Sequence, residues 1–411
     1  MDRTVLVIGG GLAGARTVEA LRGLGHDGRL VLVGDEDELP YERPPLSKEY
    51  LHGRTAFDAA VVHPERWYDD HRVELRTGSH VRSLDAAAHL ATLDDGSTLV
   101  FDAAVLATGA SPRPLAVPGG EAALTLRTRV DSDRLRSVLS DSPRVVIVGS
   151  GWIGLEVAAA AVAAGCTVTV VERGALPVEH AVGSELGGLF ASLHRDHGVT
   201  FLVRREVEEV VLDGEEGVAA VRLSDGRTLE ADVVVAGIGV EPRQSLAAGA
   251  GLTVTEGVVV DEHLRSSHPD VYAVGDVALA YHPFVGRHVR VEHWANAEHQ
   301  PAVAAASALG MDRRYERLPY FFSDQYEMSM ELTGFLEPGG YDDLVLRGDV
   351  PGLTFCAFWL QHGRVVAGLA SGVQGAMPQI ERLVRSRVEV LPDELRDTGT
   401  ALADIAGRLT G

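Results

Sequence analysis

The 411-residue sequence predicts an α/β protein made of two copies of one parallel-sheet domain, followed by an α+β domain. Two observations predict it. The first is a pair of glycine fingerprints of one kind. Gly9-Gly10-Gly11-Leu12-Ala13-Gly14 follows the apolar run Val5-Leu6-Val7-Ile8, and Gly149-Ser150-Gly151-Trp152-Ile153-Gly154 follows Val145-Val146-Ile147-Val148. The second is a longer repeat beneath them. After each fingerprint come a helical stretch, a β-branched strand ending in an acid, a hairpin with Asp-Gly at its turn, and a buried strand ending in glycine.

Each fingerprint reads G-x-G-x-x-G between a strand and a helix, the context in which the pattern binds a dinucleotide pyrophosphate. The first glycine makes the tight turn, and the second lets backbone approach phosphate. The third lets helix and strand pack closely. The helix N-terminus then offers free N–H groups and the positive end of its dipole. Two such matches point to two Rossmann-like domains and two dinucleotides.

The next strands are Leu30-Val31-Leu32-Val33, ending in Gly34-Asp35-Glu36, and Thr167-Val168-Thr169-Val170-Val171, ending in Glu172-Arg173. An acid there can accept both ribose hydroxyls of an adenosine. The hairpins are expected at 89–99 and 218–229, with turns at Asp95-Gly96 and Asp225-Gly226. The buried strands are Ala103 to Gly109 and Val233 to Gly239. Each is followed by Pro-Arg, at Pro112-Arg113 and Pro242-Arg243.

The chain should therefore run as a first domain over 1–112, an inserted second domain over 113–243, the remainder of the first over 244–318, and an α+β domain over 319–411. Strands around 257–261, 328–332, 343–346, 355–361 and 365–370 and a helix over 378–387 complete the reading.

Composition narrows the function. Hydrophobic content of 45% supports real cores. A formal charge of −22 argues against nucleic acid or an anionic membrane as the main partner, since both need a basic surface. No apolar run reaches the ~18 residues of a membrane span. Met1-Asp2-Arg3 leads straight into a strand, so no signal peptide is expected and the chain should be cytoplasmic. The two cysteines, Cys166 and Cys356, both sit in strand-like apolar runs, and no C-x-x-C occurs. A disulfide reductase needs a cysteine pair at its first nucleotide site, and an Fe–S cluster needs a cysteine set. Electrons must leave for an outside acceptor by another route. No metal ligand set is read, and none of the sixteen histidines is needed for such chemistry.

The run Leu39-Pro40-Tyr41-Glu42-Arg43-Pro44-Pro45-Leu46-Ser47-Lys48 resembles a family signature. So do Thr108-Gly109-Ala110, Gly275-Asp276-Val277-Ala278, Val291 to Ala297, and Phe322-Ser323-Asp324-Gln325-Tyr326. Together they resemble FAD-dependent NAD(P)H ferredoxin reductases of bacterial P450 and dioxygenase systems, the putidaredoxin reductase and biphenyl dioxygenase ferredoxin reductase type. Rubredoxin reductase and apoptosis-inducing factor are related. The likeness covers essentially the whole chain and implies a glutathione-reductase-like fold. Many relatives carry tryptophan where this chain has Phe322, so the flavin edge is expected to differ there.

The resemblance implies FAD in the first domain and NAD in the second. Gly9, Gly11, Leu12, Ala13 and Gly14 would face the FAD pyrophosphate, with Asp35 or Glu36 on the ribose. Arg43 would contact FAD, Lys48 would lie beside the flavin, and Val81 would give a backbone contact on the adenine side. Thr108, Gly109, Arg127, Gly275, Asp276, Glu292, His293, Trp294 and Phe322 join the cofactor set. Gly149, Gly151, Ile153, Gly154, Glu172 and Gly239 would hold NAD. Glu156, expected in the first turn of its helix, would pair with Lys48 near the nicotinamide. Lys48 and Glu156 are the two candidate catalytic residues. A carboxylate at Glu172 repels a 2′-phosphate by about 1 kcal/mol in water and ~4 kcal/mol at an effective dielectric of ~20, which predicts NADH over NADPH. Arg173 softens that preference.

The implied activity is hydride transfer from NADH to FAD and single-electron transfer to a [2Fe–2S] ferredoxin that serves a P450 or a ring-hydroxylating dioxygenase. Two alternatives stay open: a reductase for rubredoxin, a quinone or another small acceptor, and a redox-responsive interaction protein like apoptosis-inducing factor. Either a monomer or a homodimer is expected.

Overall fold

The computed structural model describes residues 3–141, 143–214, 217–337 and 339–410. The chain divides into two compact units. One comprises 1–45, 55–111 and 240–317, and the other 46–54, 112–239 and 318–411.

The first unit is built on a parallel sheet. Its strand order is Val271–Ala273, Ala103–Leu106, Val5–Ile8, Leu30–Val33, Val73–Arg76. Every residue of Val5–Ile8, Leu30–Val33 and Ala103–Leu106 is buried, as strands covered on both faces require. Ile8 pairs in register with Val33 and Leu106, so Gly9, Gly34 and Ala107 leave the sheet together at its carboxyl edge. The helix Leu12–Gly23 starts there. The expected hairpin is present as antiparallel strands Leu90–Leu93 and Thr98–Val100, joined by Val81–Asp85 on the other side.

The second unit repeats the plan. Its parallel sheet runs Thr200–Val203, Thr167–Glu172, Arg144–Val148, Val233–Ala236. The helix Trp152–Ala163 follows the second fingerprint, and the second hairpin pairs Gly217–Leu223 with Thr228–Glu230. Thus the second dinucleotide-binding fold lies in a segment that interrupts the first.

The same unit carries an antiparallel sheet ordered Tyr320–Gln325, Met328–Gly334, Arg364–Ser371, Thr354–Gln361, Asp343–Asp349. Helix Ala376–Ser386 lies close on it, where a Cβ at Gly368 would come within 2.4 Å of the Ile380 side chain. Helix Glu179–Asp196 shares an apolar core with this sheet through Val182, Leu186, Phe190, Met328, Phe355 and Trp359.

The short segment 46–54 belongs to this unit for visible reasons. Ser132 Oγ donates to the Leu46 carbonyl at 2.8 Å, and Tyr50 Oη donates to Asp133 at 2.5 Å. Leu51 packs with Leu135 and Leu139. All four partners lie on helix Arg129–Leu139, whose start is secured by a reciprocal Thr128–Asp131 capping box.

Candidate active site

In the first unit the fingerprint makes a cradle that requires glycine at two of its positions. Gly9 has φ +129°, and a Cβ there would lie 2.1 Å from the Ala107 carbonyl oxygen. A Cβ at Gly14 would lie 2.0 Å from the Gly9 carbonyl oxygen. Gly11 differs, because a Cβ there would meet nothing within 4 Å. The loop is thus closed against the sheet at Gly9 and Gly14 and open at Gly11, where no side chain caps the helix. An open, uncapped N-terminus fits a pyrophosphate. Gly275 comes to the same helix start, since a Cβ on it would be 3.3 Å from Ala13 Cβ.

The two strand-end acids have different partners. Asp35 pairs with Arg243 at 2.9 Å, whereas Glu36 takes Arg43 at 2.7 Å and a hydrogen bond from Tyr41 Oη. Each Glu36 oxygen retains a second lone pair for a ribose hydroxyl. Arg43 also lies in the field of Asp276. Thr108 Oγ1 donates to the Arg243 carbonyl at 2.8 Å, and Gly109 turns beside it at φ +69°. Trp294 opens helix Trp294–Ala308 and donates Nε1–H to Glu42 at 3.0 Å, with His293 capping at 3.4 Å. Glu292 turns instead to Arg290. Val81 is buried at the start of its strand.

The second fingerprint repeats the cradle. Gly149 has φ +92°, and a Cβ there would be 2.6 Å from the Gly237 carbonyl oxygen. A Cβ at Gly154 would be 2.4 Å from the Gly149 carbonyl oxygen. Glu172 curls back over this loop. Its carboxylate accepts from Ser150 N at 2.9 Å, Ser150 Oγ at 2.7 Å and Gly174 N at 2.6 Å. Those donors pin a negative charge beside the loop. Ile153 is half-exposed on the helix start, and Gly239, at φ +95°, follows the neighbouring strand. The Arg127 backbone N–H donates to Asp131 at 3.0 Å, next to the Thr128–Asp131 capping box.

Lys48, Glu156 and Phe322 come together within the second unit. Lys48 Nζ lies 2.7 Å from Glu156 Oε1, with the side chains 10% and 3% exposed. The other carboxylate oxygen accepts from Ser47 Oγ, and Ser323 Oγ donates to Oε1 at 2.7 Å. Lys48 Nζ also sits 5.5 Å from the centre of the Phe322 ring, a cation–π contact. One expectation is corrected: Glu156 lies in the second turn of Trp152–Ala163, whose first turn holds no acid. The Lys48 ammonium and the hydroxyls of Ser47 and Ser323 are the partners that offset its burial. Ser323 as a site residue was missed by sequence reasoning. The available signal was the alternation in Tyr320–Gln325, which buries Ser323 and Gln325 on one face.

This fold and these sites define an FAD- and NAD(H)-dependent oxidoreductase. The chain belongs to the pyridine nucleotide-disulphide oxidoreductase family, whose model matches residues 3–301, and a reductase C-terminal domain matches 320–406. It is 38% identical to the ferredoxin–NAD(+) reductase component of an anthranilate 1,2-dioxygenase system from Burkholderia cepacia, over 97% of this chain and 98% of that one. It is 36% identical to putidaredoxin reductase of Pseudomonas putida, over 98% and 96%. The crystal structure of a covalent putidaredoxin reductase–putidaredoxin complex superposes with a TM-score of 0.95 at 34% identity, covering 100% of this chain and 99% of that one. Despite the family's title, Cys166 and Cys356 are both free and buried, so no dithiol is available to carry electrons. Among the described residues no helix is long and apolar enough to cross a membrane.

Proposed function

We propose that the chain is a cytoplasmic NADH:ferredoxin reductase that passes electrons singly to a [2Fe–2S] ferredoxin of a P450 or ring-hydroxylating dioxygenase system. The observation that carries this reading is the buried Lys48–Glu156 pair in a chain with two pyrophosphate cradles and no dithiol. The relatives named as ferredoxin reductases of such systems support it.

The protein's own contribution is to bind, orient and balance charge. Gly9, Gly11 and Gly14 hold the FAD pyrophosphate, with Glu36 on the ribose and Arg43 beside it. Gly149, Gly151 and Gly154 hold that of NADH, and Glu172 selects a ribose without a 2′-phosphate. Lys48 supplies a fixed positive charge for the negative charge that arrives with the hydride, and Glu156 keeps that charge in place. When bound, FAD supplies the conversion from two-electron to one-electron chemistry. NADH-driven cytochrome c reduction, with and without a [2Fe–2S] ferredoxin, tests the reading. Strong dependence on ferredoxin is expected. A rate indifferent to ferredoxin but fast with rubredoxin or a quinone moves the function to those acceptors. Slow flavin reduction by NADH with redox-dependent association would make it an interaction protein.

A further inference from the structure

Glu156 is the inner end of a longer buried chain that the proposed chemistry does not use. Ser323 Oγ, which donates to Glu156, itself receives Gln325 Nε2–H at 3.0 Å. Gln325 Oε1 lies 2.8 Å from His194 Nε2, and His194 Nδ1 lies 3.3 Å from Tyr326 Oη. Ser323, Gln325 and His194 are at most 2% exposed. All lie in the second unit, contributed by helix Glu179–Asp196 and the strand Tyr320–Gln325 with its turn.

The chain can point only one way. A carboxylate accepts and cannot donate, so Ser323 must give its proton to Glu156. Ser323 must then accept from the Gln325 amide nitrogen. The amide oxygen faces His194 Nε2, which must carry the ring proton, leaving Nδ1 as acceptor for Tyr326. Burial holds His194 neutral, pushing its pKa down to about 4, and burial keeps the Tyr326 phenol protonated. Tyr326 itself has φ +54°, a left-handed conformation that a bulky residue adopts at a cost. His197, stacked on the Tyr326 ring at 3.7 Å and facing Glu327 at 3.2 Å, supports it from outside.

We propose that His194 and Gln325 are positioning residues for Glu156, a one-directional relay of donors that holds the carboxylate on Lys48. Aligned donors polarise one another, so the last bond to Glu156 depends on the whole series. The proposal rests on the reading of Lys48 and Glu156 as the charged pair of the reaction.

The test uses the FAD-loaded enzyme with Ser323→Ala, Gln325→Met and the double variant. NADH reduction is followed by stopped flow, separating the limiting rate from the apparent Kd of NADH. Nitrogen-15 histidine NMR reads the His194 tautomer. The expected result is a limiting rate about tenfold lower in each single variant, with Kd little changed. The double variant should be no slower than Ser323→Ala, because both cut one chain. His194 should carry its proton on Nε2. Multiplying losses, an unchanged rate, or an Nδ1 proton on His194 would overturn the relay. If wild-type flavin is not reduced by NADH at all, the proposed function fails, while the tautomer still decides the relay.

Discussion

Lys48 Nζ and Glu156 Oε1 meet at 2.7 Å in a site from which water is nearly excluded. Lys48 arrives on the segment docked to helix Arg129–Leu139, and Glu156 on the helix after the second fingerprint. Their charges are therefore held by two elements far apart in sequence but within one compact unit.

The first prediction concerns that pair. Removing one partner of a buried ion pair strands the other charge and costs about 3–5 kcal/mol. Lys48→Met and Glu156→Leu should each lower the thermal unfolding midpoint markedly, and the double variant less than either. Calorimetry on the three proteins checks this. Equal or summed losses would show that the pair is not coupled.

Nucleotide choice should turn on Glu172. Glu172→Gln removes the charge that Ser150 and Gly174 pin beside the loop. The ratio of kcat/KM for NADPH to that for NADH should rise at least about fivefold, from the ~1 kcal/mol repulsion expected even in water. Steady-state kinetics with both nucleotides gives the answer.

Acid should weaken the second unit through His194. Its folded pKa of about 4 lies below the ~6.5 of an unfolded histidine, so the folded state binds fewer protons between those values. The stability it contributes is present above about pH 6.5 and is lost as the pH falls toward 4. The loss is at most about 3 kcal/mol. Urea midpoints across that window should fall with pH in the wild type and fall less in His194→Gln. Tyr326, His197 and Glu327 line the same region and are left unchanged by that substitution.

The fingerprint glycines should separate by role. Gly14→Ala drives a Cβ into the Gly9 carbonyl and should cost about 3 kcal/mol or more, with loss of FAD. Gly11→Ala points into open space, so the protein should fold with wild-type circular dichroism yet retain less FAD. The ratio of flavin to protein absorbance distinguishes the two.

Much of this was readable from sequence because it is local. A glycine that must turn at φ +129° and an acid at a strand end announce themselves by spacing along one strand–turn–helix unit. Alternation and Asp-Gly turns likewise located both hairpins. The segment around Lys48 was readable only through likeness to a family, since a proline-rich run has no periodicity to interpret.

By itself, then, the sequence determined the two dinucleotide folds and the absence of a dithiol. Each follows from backbone conformation and residue chemistry over a few neighbouring positions. Tertiary structure alone decided that Asp35 is taken by Arg243 and that Glu36 is held by Arg43 and Tyr41. It alone brought His194, Gln325 and Ser323 in line behind Glu156. His194 and Gln325, like Asp35 and Arg243, come from distant stretches of chain, and their meeting depends on how distant elements pack, which no local pattern encodes.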